Sequence, residues 1–304
     1  MTRPAWISFL SEVPRQRRGL RALQICIGIE LLFRVLTELP FASYLWGPHG
    51  VGQSRSEGRM GLTAVVGRLV FSSDLSTKGL VVIVGVLAAM LVAGIRTRAA
   101  AILLAFFIQV LESRLPELAD GGDNVTRLVL IYMCFMLSVR APWKPGSLLV
   151  WFHNMAVVAI VSQLLLLYLT SGMMKVRGDI WYHGFATYAI SNVDWFSLPS
   201  SRPFFHVPLF VAMTSYVPMF YQVMFPAAVL AKNLRLPWIL VGAVFHVGVA
   251  VTMGLVTFTM AMIGLELFFL TDADFERLAT LLRRAVDQLV RASRKIAGKR
   301  AAHG

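Results

Sequence analysis

Charge is scarce in this chain. Only 15% of its 304 residues are Asp, Glu, Lys or Arg, against roughly 25% in an ordinary soluble domain. The charge that is present is mostly of one sign, 29 Lys and Arg against 16 Asp and Glu. Cysteine is nearly absent. Cys26 and Cys134 both fall inside apolar stretches, which suits neither a disulfide framework nor a thiolate zinc site. HExxH, CxxC, P-loop and Rossmann glycine patterns are missing as well, so the common soluble-enzyme chemistries have no foothold, and no metal site is expected. No flexible linker marks off a separate soluble domain.

Hydrocarbon is what the chain has in quantity. Hydrophobic residues make up 57% of it, and its mean hydropathy is +0.68. A membrane helix needs about 20 mostly apolar residues, fewer within a packed bundle. On that basis the sequence predicts spans near 20–39, 79–95, 98–114, 124–140, 148–174, 205–230, 236–256 and 257–271. The expected fold class is all-α, a polytopic transmembrane helical bundle of about eight spans over residues 1–271. The last two spans meet at Thr257 with almost no loop, as a tight hairpin or one broken element; counted as one, they leave about seven. Arg3, Arg15, Arg17, Arg18 and Arg21 precede the first apolar run. No small-residue cleavage site follows it, so it is expected to stay as a span and not to be removed as a signal.

Basic residues orient the bundle. With the N-terminus inside, cytoplasmic segments collect Arg96 and Arg98, Arg140 and Lys144, Lys232 and Arg235, and both basic termini. This follows the positive-inside rule and predicts a multi-pass cell-membrane protein with both termini cytoplasmic. It also accounts for the net charge of +13 without nucleic acid. Residues 272–304 form a separate cytoplasmic tail. Phe275, Leu278, Leu282, Val286, Leu289 and Ile296 recur there at helical spacing, among Arg277, Arg283, Arg284, Arg291, Arg294 and Lys295. That pattern predicts a basic amphipathic helix on the anionic inner leaflet; the alternative is a solvated basic tail.

A few ionisable groups stand inside the apolar runs. Glu30, Arg34 and Glu38 lie at four-residue steps on one helical face. A lone charge there is costly, so Arg34 is expected to bridge the two carboxylates, either as a packing device or as the polar wall of a cavity. In Glu112–Asn124, Pro116, Gly121 and Gly122 break the helix, Asp123 is placed to cap the next one, and Arg127 to pair with Asp123. The surplus of Glu112, Glu117, Asp120 and Asp123 makes that outer face acidic. His246 lies mid-span, as a satisfied core histidine or as a catalytic or binding group.

The most informative stretch runs from Gln163 to Ile190. Lys175 closes an apolar run, followed at once by Arg177, Asp179, Trp181 and His183. An amine at the edge of hydrocarbon is either an interface anchor that snorkels beside Trp181 and Tyr182 or a base. Desolvation and the like charge of Arg177 favour the free amine; Asp179 opposes that if it reaches the amine.

Taken together these features resemble the HTTM family, the membrane domain shared with vitamin K-dependent gamma-carboxylase, over most of residues 18–271. The Tyr44–Gly50 turn, Gly122-Asp123-Asn124 with Arg127, the set Tyr168, Gly172, Lys175, Trp181 and Gly184, then Phe245-His246, Phe258 and Met262 carry the likeness. The resemblance implies a base at Lys175 that deprotonates a quinone such as vitamin K hydroquinone, whose oxygenation gives a base strong enough to take a glutamate gamma proton. It makes His246 a second catalytic candidate, and Asn124, Arg127, Trp181, His183 and Gln222 substrate-binding candidates. Asn124 stands where the carboxylase has a histidine, and Gln222 near where many members carry an acid. The large lumenal domain of the carboxylase has no counterpart here, so a protein substrate is expected from a partner membrane protein. In size the chain is similar to short bacterial members of the sporulation-delaying-protein type (SdpB), which are associated with maturation of exported peptides. The alternative functions are therefore a non-catalytic maturation or export helper, with Lys175, Trp181 and His183 as a docking surface, and a lipid-binding scaffold.

Overall fold

The computed structural model describes residues 4–52, 61–138 and 141–301. The described residues are helical or connecting, with no strand among them. In chain order the α-helices are α1 (Ala5–Ser11), α2 (Arg17–Glu38), α3 (Ala42–Trp46), α4 (Leu62–Val70), α5 (Asp74–Ala93), α6 (Thr97–Arg114), α7 (Gly121–Met133), α8 (Leu148–Arg177), α9 (Asp179–Tyr182), α10 (Ala186–Ser191), α11 (Pro208–Leu230), α12 (Arg235–Met253), α13 (Val256–Phe268) and α14 (Asp272–Ala301). A run of 3-10 helix, Pro199–His206, leads into α11 at an angle of 103°. Each expected span stretch carries one of these helices. Arg140, counted in the charge asymmetry, lies outside the described residues, as do the side chains of Leu289, Arg291, Arg294, Lys295 and Ile296.

Three of the described helices, α5, α8 and α12, are each long and apolar enough to cross a membrane, and up to five segments qualify if two sharply bent pairs are counted as spans. The rest fall short for visible reasons. α2 carries Arg17, Arg18, Arg21, Glu30, Arg34 and Glu38, and α7 and α13 have only 13 residues each. Outward faces are nevertheless apolar: Val82 and Val86 on α5, Ile102 on α6, Leu166 on α8 and Val251 on α12 are all exposed. A soluble monomer rarely shows so much contiguous hydrocarbon.

Local sequence sets the helix ends. Ser73 caps α5 by accepting from the Ser76 amide at 3.2 Å, and Gly94 ends it in the left-handed region at φ 76°. Asp120, not Asp123, caps α7. The Asp120 side chain accepts from the Gly122 and Asp123 amides while Asp123 accepts from the Asp120 amide, a full capping box. The helix expected over 124–140 stops at Met133, where the Phe135 and Met136 amides turn to the carbonyls three residues back, those of Tyr132 and Met133. The Leu137 amide donates to His153 Nδ1 at 3.0 Å, and Arg98 Nε satisfies the Cys134 carbonyl at 2.8 Å. Gly254 turns α12 into α13 almost without a loop, at φ 75°.

Small residues let the long helices approach closely, as expected where lipid offers no hydrophobic drive. α2 packs against α13 and α5. A Cβ at Gly19 would stand 2.7 Å from the Phe268 carbonyl, one at Gly264 2.7 Å from Cys26 Cβ, and one at Gly28 2.9 Å from the Ala88 carbonyl. Between α8 and α11 the same device is Gly172, where a Cβ would stand 2.8 Å from the Val223 amide nitrogen.

Candidate functional site

α8 rises about 45 Å over its 30 residues, more than the ~30 Å of a bilayer core. Lys175 therefore sits in its last turn, beyond the most apolar part. The side chain does not turn outward. Lys175 Nζ donates to Ser171 Oγ and to Gln222 Oε1, each at 2.9 Å, and stands 5.1 Å from the centroid of the Trp181 ring. All its hydrogen-bond partners are neutral. Asp179 pairs instead with His183, at 3.4 Å, and both of these side chains are well exposed.

Lys175 lines an open cavity of about 1430 Å³ bordered by α7, α8, α11, α12, α13 and the segment between α8 and α11. Its wall is mainly hydrocarbon, from residues such as Phe210, Met213, Val217, Leu240 and Phe245. Asn124, Trp181, Gln222 and His246 line the same cavity. Five candidates, spread over the chain from Asn124 to His246, thus face one space. Two further candidates stay outside it. Arg127 binds Glu112 at 3.3 Å and Asn124 Oδ1 at 2.6 Å, so its expected pairing with Asp123 is not made. His183 lies in the exposed turn after α9, against Tyr182. Arg127 does reach the cavity indirectly, by holding Asn124.

The motif residues converge on this place for physical reasons. Gly172 brings α11 close enough for Gln222 to meet Lys175. Gly184, at φ 74°, turns the chain under Tyr216, whose hydroxyl donates to the Tyr182 carbonyl at 2.8 Å. Pro218 has no amide to give the Thr214 carbonyl four residues back, and Pro226 none for that of Gln222, so two acceptors of the cavity-lining helix lose their usual donors.

Behind the wall lies a cluster centred on Glu266, which no local pattern had marked. Tyr168 donates to Glu266 Oε1 at 2.5 Å and Tyr221 to the same oxygen at 2.7 Å. Tyr168 Oη also meets His246 Nε2 at 2.7 Å, and Thr259 Oγ1 donates to the His246 carbonyl at 2.9 Å. All four main members are fully buried. Its one signal in the sequence is a lone carboxylate inside the apolar run Gly264–Leu270.

The charges on α2 are arranged differently from expectation. Arg34 does reach Glu38, at 3.0 Å, but its second partner is Asp123 of α7 and not Glu30. Glu30 accepts from Thr126 Oγ1 at 3.3 Å. Asp123 wins because the capping box fixes it beside α2, whereas Glu30 is turned toward α7 one helical turn below. This group lies away from the cavity lining and serves to join α2 to α7.

No protein-family model matches this chain, and neither a curated protein nor a solved structure matches it.

Proposed function

We propose that the chain is a polytopic membrane enzyme of the HTTM type, in which Lys175 acts as a base on an apolar, quinone-like ligand seated in the cavity. The observation that carries this is the position of the Lys175 amine: in the wall of a large, mostly apolar cavity, between neutral acceptors, with no carboxylate bound to it. An interface anchor would extend toward headgroups and water. The cavity exceeds the roughly 300–1,000 Å³ of common small-molecule sites, which suits a ring with a hydrocarbon tail. A quinol such as vitamin K hydroquinone would supply an acidic hydroxyl and, with oxygen, the oxidising chemistry. The protein would hold the ring near Trp181, bind its oxygens through Lys175, Gln222 and Asn124, and exclude water with the apolar wall.

In this reading all eight long apolar stretches cross the cell membrane, both termini are cytoplasmic, and residues 176–204 face outward. α14 then lies on the inner leaflet. An exported peptide presented by a partner membrane protein is the substrate that the outward position of the site would favour. The direct test is consumption of vitamin K hydroquinone by protein reconstituted in nanodiscs, with Lys175→Ala as the comparison. Loss in the variant supports the reading; equal consumption by both proteins removes it. Cysteine labelling at position 183 from the outer side tests the orientation separately.

A further inference from the structure

The cluster behind the cavity wall is unsatisfied at both ends. His246 Nδ1 and Glu266 Oε2 are buried, and neither makes a hydrogen bond within the described residues. A network that only filled the core would be expected to close on itself, because a buried polar atom without a partner has lost its hydrogen bonds to water with nothing in their place. Its interior is fully specified. Tyr168 and Tyr221 both point their hydroxyl protons at Glu266 Oε1, so Tyr168 must accept from His246 Nε2. The imidazole proton is thereby on Nε2, and Nδ1 is left as the basic nitrogen. Among the described residues Glu266 has no Lys or Arg partner; the neutral imidazole of His246 stands with Nε2 3.5 Å from Glu266 Oε1. α12 is notched to admit the carboxylate: a Cβ at Gly242 would collide with both Tyr221 Oη and the Glu266 oxygens.

Tyr168 and His246 line the cavity, while Glu266 and Tyr221 stand behind them. We propose that His246, Tyr168 and Glu266 form a proton relay that draws a proton from the hydroxyl of an apolar, weakly acidic ligand in the cavity and stores it on Glu266. The ligand class is a phenol or enol with a hydrocarbon body. In the transfer the ligand O–H bond breaks and its proton goes to His246 Nδ1. The Nε2 proton passes to Tyr168 Oη, and the Tyr168 proton to Glu266 Oε1. The ligand is left as an oxyanion, Glu266 as a neutral acid, and the net charge is unchanged. No oxidant or reductant is required. The relay rests on the reading of the cavity as a reaction chamber, but not on Lys175 being the base. Glu266 acts through its neighbours and is a positioning and storage residue.

The test uses an alkyl-substituted nitrophenol, whose phenolate absorbs visible light, bound to the full-length protein in nanodiscs at neutral pH. The wild type is expected to hold the bound probe largely as phenolate. Glu266→Gln should lower the bound phenolate-to-phenol ratio about tenfold or more. Tyr168→Phe keeps the carboxylate but cuts the link, and should do the same. A purely electrostatic Glu266 gives the opposite sign, because removing a negative charge favours the phenolate. An unchanged or higher ratio in Glu266→Gln, or an unchanged ratio in Tyr168→Phe, overturns the relay. Lys175→Ala separates the two readings. If it alone lowers the ratio, the relay falls and the lysine base stands; if only the other two variants lower it, the relay stands and the lysine base falls. A probe that fails to bind the wild type overturns both.

Discussion

Arg34 and Asp123 form a buried ion pair between α2 and the first turn of α7, 89 residues apart in the chain. Asp123 also closes the capping box of α7, so one carboxylate both starts a helix and docks it. Glu38 completes the pairing from the next turn of α2, at 3.0 Å.

Arg34→Ala is therefore expected to destabilise the protein by about 3–5 kcal/mol, because it leaves two carboxylates unpaired in a poorly hydrated place. Replacing Arg34, Glu38 and Asp123 together with Met, Gln and Asn should be milder, since no lone charge remains. Folded protein recovered from membranes, followed by thermal unfolding in detergent, measures both. Equal loss in the two variants would mean that the charges themselves, and not their balance, are needed.

The contrast between this pair and the apolar stretches shows what the sequence carries. Helix positions were legible because hydrophobic runs and their Pro/Gly breaks are local. Lys175, Trp181, Gln222, Asn124 and His246 were legible as candidates through residue type and motif, and one cavity gathers them. Pairings were not. Arg34 had Glu30 and Glu38 at helical spacing on its own face, and only the docking of α7 decides for Asp123. Glu266 gave one isolated carboxylate; its partners Tyr168 and Tyr221 lie 98 and 45 residues away. His183 was grouped with Lys175 by proximity in sequence, but the turn of α9 faces it outward to Asp179.

Gly172 and Gly79 make a matched pair for close packing. At Gly172 a Cβ would press on the Val223 backbone and the Gln222 side chain, whereas at Gly79 nothing lies within 4 Å. Gly172→Ala is expected to cost about 1–3 kcal/mol and to move Gln222 away from Lys175. Gly79→Ala, in the exposed face of α5, should be neutral or stabilising by about 0.5–1 kcal/mol, because alanine favours helix. Thermal unfolding of the two variants side by side checks the ordering. A Gly172→Ala protein as stable as the wild type would show that α8 and α11 have room to spare.

The joint between α12 and α14 should respond to acid. Asp274 Oδ2 accepts from Thr271 Oγ1 at 2.6 Å, from the Thr271 amide at 3.0 Å and from Arg235 at 3.1 Å. Burial alone would raise the carboxyl, but these hydrogen bonds and the guanidinium outweigh it and hold Asp274 below its ordinary value. A depressed carboxylate lends stability that is complete above the unfolded value, about 3.9, and is lost as pH falls through the folded one. A spin-label distance between α12 and α14 should therefore hold steady from neutral pH down to about 4 and lengthen below it. In Asp274→Asn it should already be longer, or more broadly distributed, at neutral pH and show no acid step.

Lys175 offers the sharpest decision about activity. Lys175 Nζ already sits among neutral acceptors in the cavity wall, where a free amine can take a proton from a ligand hydroxyl. A guanidinium cannot take that proton, because it keeps its own at any working pH. Lys175→Arg retains positive charge, length and the capacity to donate to Ser171 and Gln222. Under the proposed base role it should nevertheless lose any consumption of vitamin K hydroquinone about 100-fold or more while expression and thermal stability stay close to wild type. If Lys175 served only to anchor the end of α8 in the interface, arginine would replace it freely, since it snorkels as well as lysine. Arginine separates the two roles where alanine does not, because alanine removes the anchor and the base at once. Wild-type turnover in Lys175→Arg would end the case for lysine as the base and leave the cavity as a binding chamber.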